Sequence, residues 1–175
     1  MRKPRLVVCM GVSGCGKSTL GAGLAARLAC PFVDADDFHS AAAKRKMASG
    51  DPLSDADRAP WMQRITEHLM ALAASGEACV MAHSALRRTH REQLRHCGYD
   101  TRFLHLTVPP SVLHERLAQR QNHFVSDNLL QSQLDTLQAP DNEPDVSILS
   151  AQLSIGGVLA AAERALELSG EVSCA

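Results

Sequence analysis

A glycine-rich segment that ends in lysine and serine carries the clearest chemical signal in this sequence. Residues 11–18 read GVSGCGKS and match the spacing G-x-x-x-x-G-K-[ST], between an apolar run and an alanine-rich helical pattern. In that context the backbone N–H groups and the helix N-terminus surround a phosphate. Lys17 would contact the β- and γ-phosphates of a nucleotide, and the Ser18 hydroxyl would bind Mg²⁺. A plain glycine-rich turn, the alternative, would not need the lysine. This segment, called the phosphate loop below, therefore predicts nucleotide binding.

Two carboxylates follow the second predicted strand, residues 31–34. Asp34 and Asp36 stand where that strand ends, at the edge of an open α/β sheet where ligands bind. One would lie near the magnesium ion and the other would reach a substrate hydroxyl. The third predicted strand, 78–82, ends without an acidic residue, so Asp34 is the metal candidate. The alternative is that these acids are solvated and cap the next helix, as we expect for Asp37.

Arginines supply the positive charge that a small acidic substrate and phosphates need. Arg58 lies in the segment DADR, and a guanidinium binds a carboxylate through two hydrogen bonds. Arg116 and Arg120 are four residues apart on one predicted helical face, which suits a lid that closes over phosphates. The alternatives are a solvated Arg58 and an exposed basic stripe at 116–120.

Composition excludes several classes of function. The 175 residues carry 18 Lys and Arg against 19 Asp and Glu, which gives no basic surface for nucleic acid. No apolar run is long enough for a membrane span, and the six cysteines include no C-x-x-C pair. The histidines have no metal-binding spacing. We expect a single cytoplasmic domain that binds neither nucleic acid nor membrane.

Strand and helix patterns alternate along the chain and predict an α/β domain with a five-stranded parallel sheet. A helix after residue 54 is expected to be capped by Asp55 or Asp57. The predicted strands are 5–10, 31–34, 78–82, 101–108 and 146–153. Seven helices are predicted. Four have both ends in the pattern: 17–29, 39–49, 129–137 and 158–168. The other three are a helix that runs from 55 until Gly76 stops it, an arginine-rich helix that ends at Gly98, and a helix that begins at Pro109-Pro110.

A series of segments resembles the gluconokinase family of small ATP-dependent sugar-acid kinases. The segments KMASGDPL (46–53) and DADRAPW (55–61) are more specific to that family than the phosphate loop. The other matching segments are MGVSGCGKST (10–19), FVDADDFH (32–39), SALRR (84–88), RLAQR with HF (116–124), and LQSQ followed by TL (130–137).

The resemblance implies transfer of the ATP γ-phosphoryl group to the 6-hydroxyl of D-gluconate, with Mg²⁺. It implies a P-loop NTPase fold of the nucleoside/shikimate-kinase type in one domain, residues 1–175, with a small lid at about 119–138, and often a homodimer. Asp36 would accept the hydroxyl proton. The implied catalytic residues are Lys17, Asp36 and Arg120; the ATP site is Gly11, Val12, Ser13, Gly14, Cys15, Gly16, Lys17, Ser18, Thr19 and Arg116; the gluconate site is Asp36, His39, Lys46, Arg58 and Arg87; and the metal ligands are Ser18 and Asp34.

The chain departs from the family pattern mainly on the acceptor side. Two alternatives therefore stay open: a kinase for another small sugar acid or a polyol, and a nucleotide-binding regulator without turnover. The departures are Ala35 for glycine, Ser40 for proline, Ala43 for asparagine, His83 for cysteine, Arg87 for lysine, His90 for tyrosine, and Ser150 and Gln152 in place of aspartates.

Overall fold

The computed structural model describes residues 3–118 and 127–168, and one parallel β-sheet forms its centre. The strands are β1 (Arg5–Met10), β2 (Phe32–Asp34), β3 (Cys79–Ala82), β4 (Asp100–Thr107) and β5 (Val146–Ser150). Their order is β2-β3-β1-β4-β5, and every neighbouring pair is parallel. Parallel strands point their carboxyl ends to one edge of the sheet, and the loops after β1, β2 and β3 meet there.

Helices connect these strands, so the predicted α/β class with a five-stranded parallel sheet is confirmed. None of the helices in the described ranges is long and apolar enough to cross a membrane. The helices are α1 (Lys17–Leu28), α2 (Ala41–Ala48), α3 (Asp55–Ala74), α4 (Arg88–Arg95), α5 (Pro110–Ala118), α6 (Asp127–Thr136) and α7 (Ile155–Leu168), with a short 3-10 helix at Ala35–Phe38.

Helix α3 begins with a different cap from the one expected. The N-cap is Ser54, whose hydroxyl accepts a hydrogen bond from Asp57 N at 3.2 Å. The Asp57 carboxylate accepts in return from Ser54 N at 2.7 Å. The prediction that Asp55 or Asp57 caps the helix was wrong, because Asp57 is the distal partner of a reciprocal capping box.

The sheet is buried on both faces, and side chains of β1 alternate between two apolar clusters. Leu6 and Val8 face a cluster that includes Ile65 of α3. Val7 faces the other cluster, together with Leu20 of α1. A central strand covered by helices on both sides reads as a continuous apolar run, as the sequence of β1 does.

A buried ionic network attaches α4 to the segment that leads into β5. Arg91 is fully buried, and its guanidinium donates to the Glu143 carboxylate. The same guanidinium donates to the carbonyls of Ala85 and Leu86 at 2.9 and 3.2 Å. The hydrogen bond from Arg91 lowers the pKa of Glu143 to about 2. Arg91 therefore stabilises the loop after β3 as well as the approach to β5.

We expect Arg91→Met to lower the free energy of unfolding by about 3–5 kcal/mol, because it removes one partner of a buried ion pair. Arg88→Met, at a 68% exposed position of the same helix, is the matched control and should change stability by less than about 0.5 kcal/mol. Urea denaturation followed by circular dichroism measures both. Equal stabilities of the two variants would contradict a structural role of the network.

Candidate active site

The phosphate loop leaves β1 through a very close contact with β4. A Cβ atom on Gly11 would lie 2.8 Å from the Leu106 carbonyl oxygen and 2.9 Å from the Cys15 sulfur. Gly11, Gly14 and Gly16 have φ angles of +140°, +84° and +102°, a region that side-chain-bearing residues rarely adopt. The backbone path of the loop thus depends on glycine at these positions.

The loop runs directly into the N-terminus of α1. Gly16 is the N-cap, and no side chain makes a cap hydrogen bond there. The first-turn amides are therefore available to an anion, with the helix dipole in support. The ammonium group of Lys17 donates to the Val12 carbonyl at 3.0 Å, which holds its charge across the concave side of the loop. This arrangement suits phosphate oxygens.

Two oxygen-bearing side chains meet where α1 starts and β2 ends. The Ser18 hydroxyl donates to one carboxylate oxygen of Asp34 at 2.7 Å, and the other carboxylate oxygen accepts from Asp36 N at 3.0 Å. In the described part of the chain, no group of three His, Cys, Asp or Glu residues is arranged to hold a metal. Few protein oxygens suit Mg²⁺, which keeps waters and takes phosphate oxygens. The residues present therefore fit a magnesium–nucleotide complex.

A cavity of about 430 Å³ lies beside the phosphate loop, and we call it the acceptor cleft. Its lining combines loop residues with charged and aromatic side chains from the segments that follow β2 and β3. The lining residues used below are Ser13, Lys17, Ser18, Asp36, Asp37, His39, Lys44, Arg58, Trp61, Arg87, His90, Ser132 and Gln133.

Two arginines of the acceptor cleft share one carboxylate. Asp55 accepts from Arg58 at 3.1 Å and from Arg87 at 2.9 Å. The Arg58 side chain is only 20% exposed, so the alternative of a solvated Arg58 does not apply. Among the described residues, the buried Nε of Arg87 has no hydrogen-bond partner. The cleft thus has two guanidiniums held side by side, which suits an anionic substrate.

Asp36 projects into the acceptor cleft from the 3-10 helix. Its side chain is 79% exposed, and one oxygen lies 3.8 Å from His39 Nε2. The expectation that Asp37 caps the next helix was wrong. Asp34 caps the 3-10 helix, Ser40 caps α2, and Asp37 lines the cleft instead.

Comparison with known proteins identifies the family of this chain. Residues 6–140 match the model of a family described as "AAA domain". A gluconokinase of Gluconobacter oxydans (strain 621H) is 44% identical over 147 residues, which cover 83% of each chain. The chain belongs to the gluconokinase family.

Solved structures confirm the predicted phosphate-loop kinase fold. A sugar kinase from Janibacter sp. HTCC2649 superimposes with a TM-score of 0.87 at 38% identity, covering 95% of this chain and 96% of that one. A gluconokinase from Sinorhizobium meliloti 1021 gives a TM-score of 0.81 at 35% identity, covering 98% and 100%. The gluconokinase fold therefore extends over almost the whole chain.

One residue assigned from the gluconokinase resemblance lies away from the acceptor cleft. Lys46 is paired with Asp57 at 2.7 Å and does not line the cleft. Its hydrogen bond holds the pKa of Asp57 well below the usual range. Lys44, two residues and about half a helical turn earlier in α2, lines the cleft instead. The role of Lys46 as a gluconate ligand stays a prediction.

Arg116 lies on the other side of the phosphate loop from the acceptor cleft. It lines a second cavity of about 380 Å³ together with Gly14 and Thr19. Its guanidinium donates to the Ala151 carbonyl at 2.7 Å. Arg120 lies outside the described residues, as does the first part of the predicted lid. The last part of the predicted lid, from residue 127, forms α6 and its C-terminal end.

Sequence reasoning missed a stack of three rings beside the acceptor cleft. Trp61 lies between His39 and His83, with ring centroids at 4.5 and 4.7 Å. The indole N–H donates to the Ala35 carbonyl at 2.7 Å. The segment DADRAPW identified Trp61 as part of the gluconokinase pattern. No local signal in the sequence indicated that its ring would stack on two histidines from other segments.

His83 is buried in this stack as a neutral ring. Its Nδ1 accepts from Ala85 N at 2.8 Å, which places the proton on Nε2, 3.2 Å from the Met62 sulfur. Burial lowers the pKa of His83 well below its ordinary value, and the charges of His90 and Lys17 act in the same direction. The folded protein therefore excludes a proton that the unfolded chain accepts.

Stability should fall as the pH drops below about 6.5, the ordinary histidine pKa, by about 1.4 kcal/mol per pH unit from His83 alone. Above pH 6.5 both states are neutral at this ring and the effect vanishes. His83→Asn keeps an acceptor for Ala85 N and removes the titration, so its loss of stability should be shallower by that amount. Urea denaturation between pH 7.5 and pH 5 measures the two slopes, and parallel curves would contradict the assignment.

Proposed function

We propose that this protein transfers the γ-phosphoryl group of ATP to the 6-hydroxyl of D-gluconate, giving 6-phospho-D-gluconate and ADP. One observation carries the proposal: a single cavity is lined by the phosphate loop, by Asp36 and by the pair Arg58 and Arg87. A donor site, a carboxylate base and an anion site thus share one cleft in a member of the gluconokinase family.

The donor side acts by positioning and by charge. The amides at the start of α1 and the ammonium of Lys17 would hold the phosphates of ATP and balance the charge that develops on the transferred group. Ser18 and Asp34 would hold the Mg²⁺ of Mg-ATP, which neutralises charge on the β- and γ-oxygens. Arg116, beside the second cavity, would contact the nucleotide on the side away from the acceptor.

The acceptor side selects an acid. Arg58 and Arg87 would bind the carboxylate of gluconate, and Asp55 fixes their orientation through one N–H group of each. A carboxylate bound there would bring the far end of the six-carbon chain toward the phosphate loop. Asp36 would accept the proton of the 6-hydroxyl as its oxygen attacks phosphorus.

The direct test is a coupled assay of purified protein with Mg-ATP and a panel of acceptors. We expect turnover with D-gluconate and kcat/KM lower by about 100-fold or more for the neutral polyol D-glucitol, because the arginine pair is then left without its anion. Preference for another aldonic acid would favour the second candidate, a related sugar-acid kinase, to which His90 in the lining points. ATP binding without transfer to any acceptor would indicate a regulator.

Asp36 and its neighbour Asp37 provide a matched pair for identifying the base. We expect Asp36→Asn to lower kcat by about 100-fold or more with little change in KM for Mg-ATP, because a base contributes mainly to the chemical step. Asp37→Asn, also in the cleft lining, should retain near-normal kcat. The reverse pattern would transfer the role to Asp37, and normal turnover of both variants would exclude a carboxylate base from this segment. Lys17→Ala should also remove most activity, as the positive control.

The family resemblance supports two further proposals, a homodimer and a cytoplasmic location. Neither depends on the chemistry of the cleft.

A further inference from the structure

The Gln133 side chain joins helix α6 to the phosphate loop through hydrogen bonds. The carbonyl oxygen of the Gln133 side chain accepts from Ser13 N at 2.6 Å. The amide nitrogen of the same side chain donates to the Ser13 hydroxyl at 3.0 Å. Both polar ends of Gln133 are thus used on one residue, 120 positions away in the sequence.

The two residues meet at the boundary between donor and acceptor. Ser13 and Gln133 both line the acceptor cleft, and neither lines the second cavity beside Arg116. Ser13 lies in the first half of the phosphate loop, before Gly14, whereas Lys17 and Ser18 lie at its end. The contact with Gln133 therefore holds the first half of the loop, on the wall of the acceptor cleft.

Helix α6 is itself fixed at two other points. Leu130 is buried in the apolar cluster that contains Leu113 and Leu117 of α5. Just after the helix, Gln138 N donates to the Leu86 carbonyl at 2.9 Å, and the Gln138 side chain accepts from Arg88 N at 2.7 Å.

These bonds flank Arg87, the acceptor-side arginine. Helix α6 consequently connects the phosphate loop at Gln133 with the arginine segment at Gln138. A shift of this helix would change the distance between the two halves of the cleft.

We propose that Gln133 is a positioning residue for phosphoryl transfer: through Ser13 it fixes the first half of the phosphate loop relative to α6. The inference rests on the proposed kinase function. Gln133 should affect geometry more than nucleotide affinity, because its two hydrogen bonds go to Ser13, whereas Lys17 is bonded to Val12 and Ser18 to Asp34. It also keeps α6 over the loop, which restricts access of water to the γ-phosphate.

Gln133→Met keeps the length of the side chain and removes both hydrogen bonds. We expect kcat to fall by about 10- to 100-fold, the size expected for a small misplacement of reacting groups, with KM for Mg-ATP changed by less than about 2-fold. ATP hydrolysis in the absence of acceptor should rise by about 3-fold or more as water gains access. Gln131→Met is the matched control, because Gln131 is exposed on the same helix and, within the described part of the chain, its side chain bonds to Asp135 of that helix at 2.8 Å; it should resemble the unmodified protein.

A double-mutant cycle separates positioning through Ser13 from a general effect on stability. Ser13→Ala removes one of the two hydrogen bonds and should lower kcat several-fold, but should have no further effect when Gln133→Met is already present. Ser13→Ala loses only a hydroxyl group, so its kcat can test the proposal even if Gln133→Met fails to fold. Additive effects, unchanged kcat, or a rise in KM for Mg-ATP alone would each overturn the proposal.

The two proposals fail in different ways. If the unmodified protein transfers no phosphate to any acceptor, the proposed function fails. The rates of ATP hydrolysis without acceptor can still be compared between Gln133→Met and Gln131→Met. Equal hydrolysis by these two variants would overturn the role of Gln133. Normal gluconate phosphorylation with no effect of Gln133→Met would overturn only the further inference.

Discussion

The close approach of Gly11 to the Leu106 carbonyl is the constraint on which the donor half of the site depends. With no room for a Cβ atom there, the chain turns sharply at the end of β1 and passes next to β4 before entering α1. That turn brings the uncapped N-terminus of α1 to the same sheet edge at which β2 and β3 end. Ser18 and Asp34, from different elements, thereby come within 2.7 Å of each other. A backbone contact in the core thus determines where the candidate phosphate and metal ligands lie.

The two halves of the cleft are built by different kinds of interaction. The path of the phosphate loop in the donor half depends on backbone geometry at Gly11, Gly14 and Gly16. The acceptor half depends on side-chain pairs from separate segments: Asp55 with Arg58 and Arg87, and Trp61 between two histidines. Such pairs can be exchanged individually without altering the fold.

The donor half of the cleft could be predicted from the sequence more fully than the acceptor half. The phosphate loop and the candidate pair Ser18 and Asp34 depend on local spacing and on strand ends, so pattern reasoning located them, and the structure brings the two side chains together. The contact of Gln133 with Ser13 spans 120 positions and has no local signature. The segment that contains Lys46 contributes Met47 and Ala48 to the lining of the cleft, but the ammonium group of Lys46 itself is paired with Asp57. Spacing identifies which residues share an element, whereas long-range packing decides which of them face the cleft.

The histidines that distinguish this chain from the family pattern contribute shape rather than charge. Burial, followed by the guanidiniums of Arg58 and Arg87, lowers the pKa of His90 to about 4, so its ring is neutral at physiological pH. His83 is neutral for the same primary reason, burial. Because these rings next to Trp61 are neutral, they do not compete with the arginines for a carboxylate. They also add nothing to the positive electrostatic potential that the arginines produce. We therefore expect recognition of an acid to depend on Arg58 and Arg87, and the width of the cleft to be limited by His90, which lines it. A change at His90 should alter which sugar acid fits and leave the preference for an acid over a neutral polyol in place, whereas His83, which is buried and does not line the cleft, would act through its stack on Trp61.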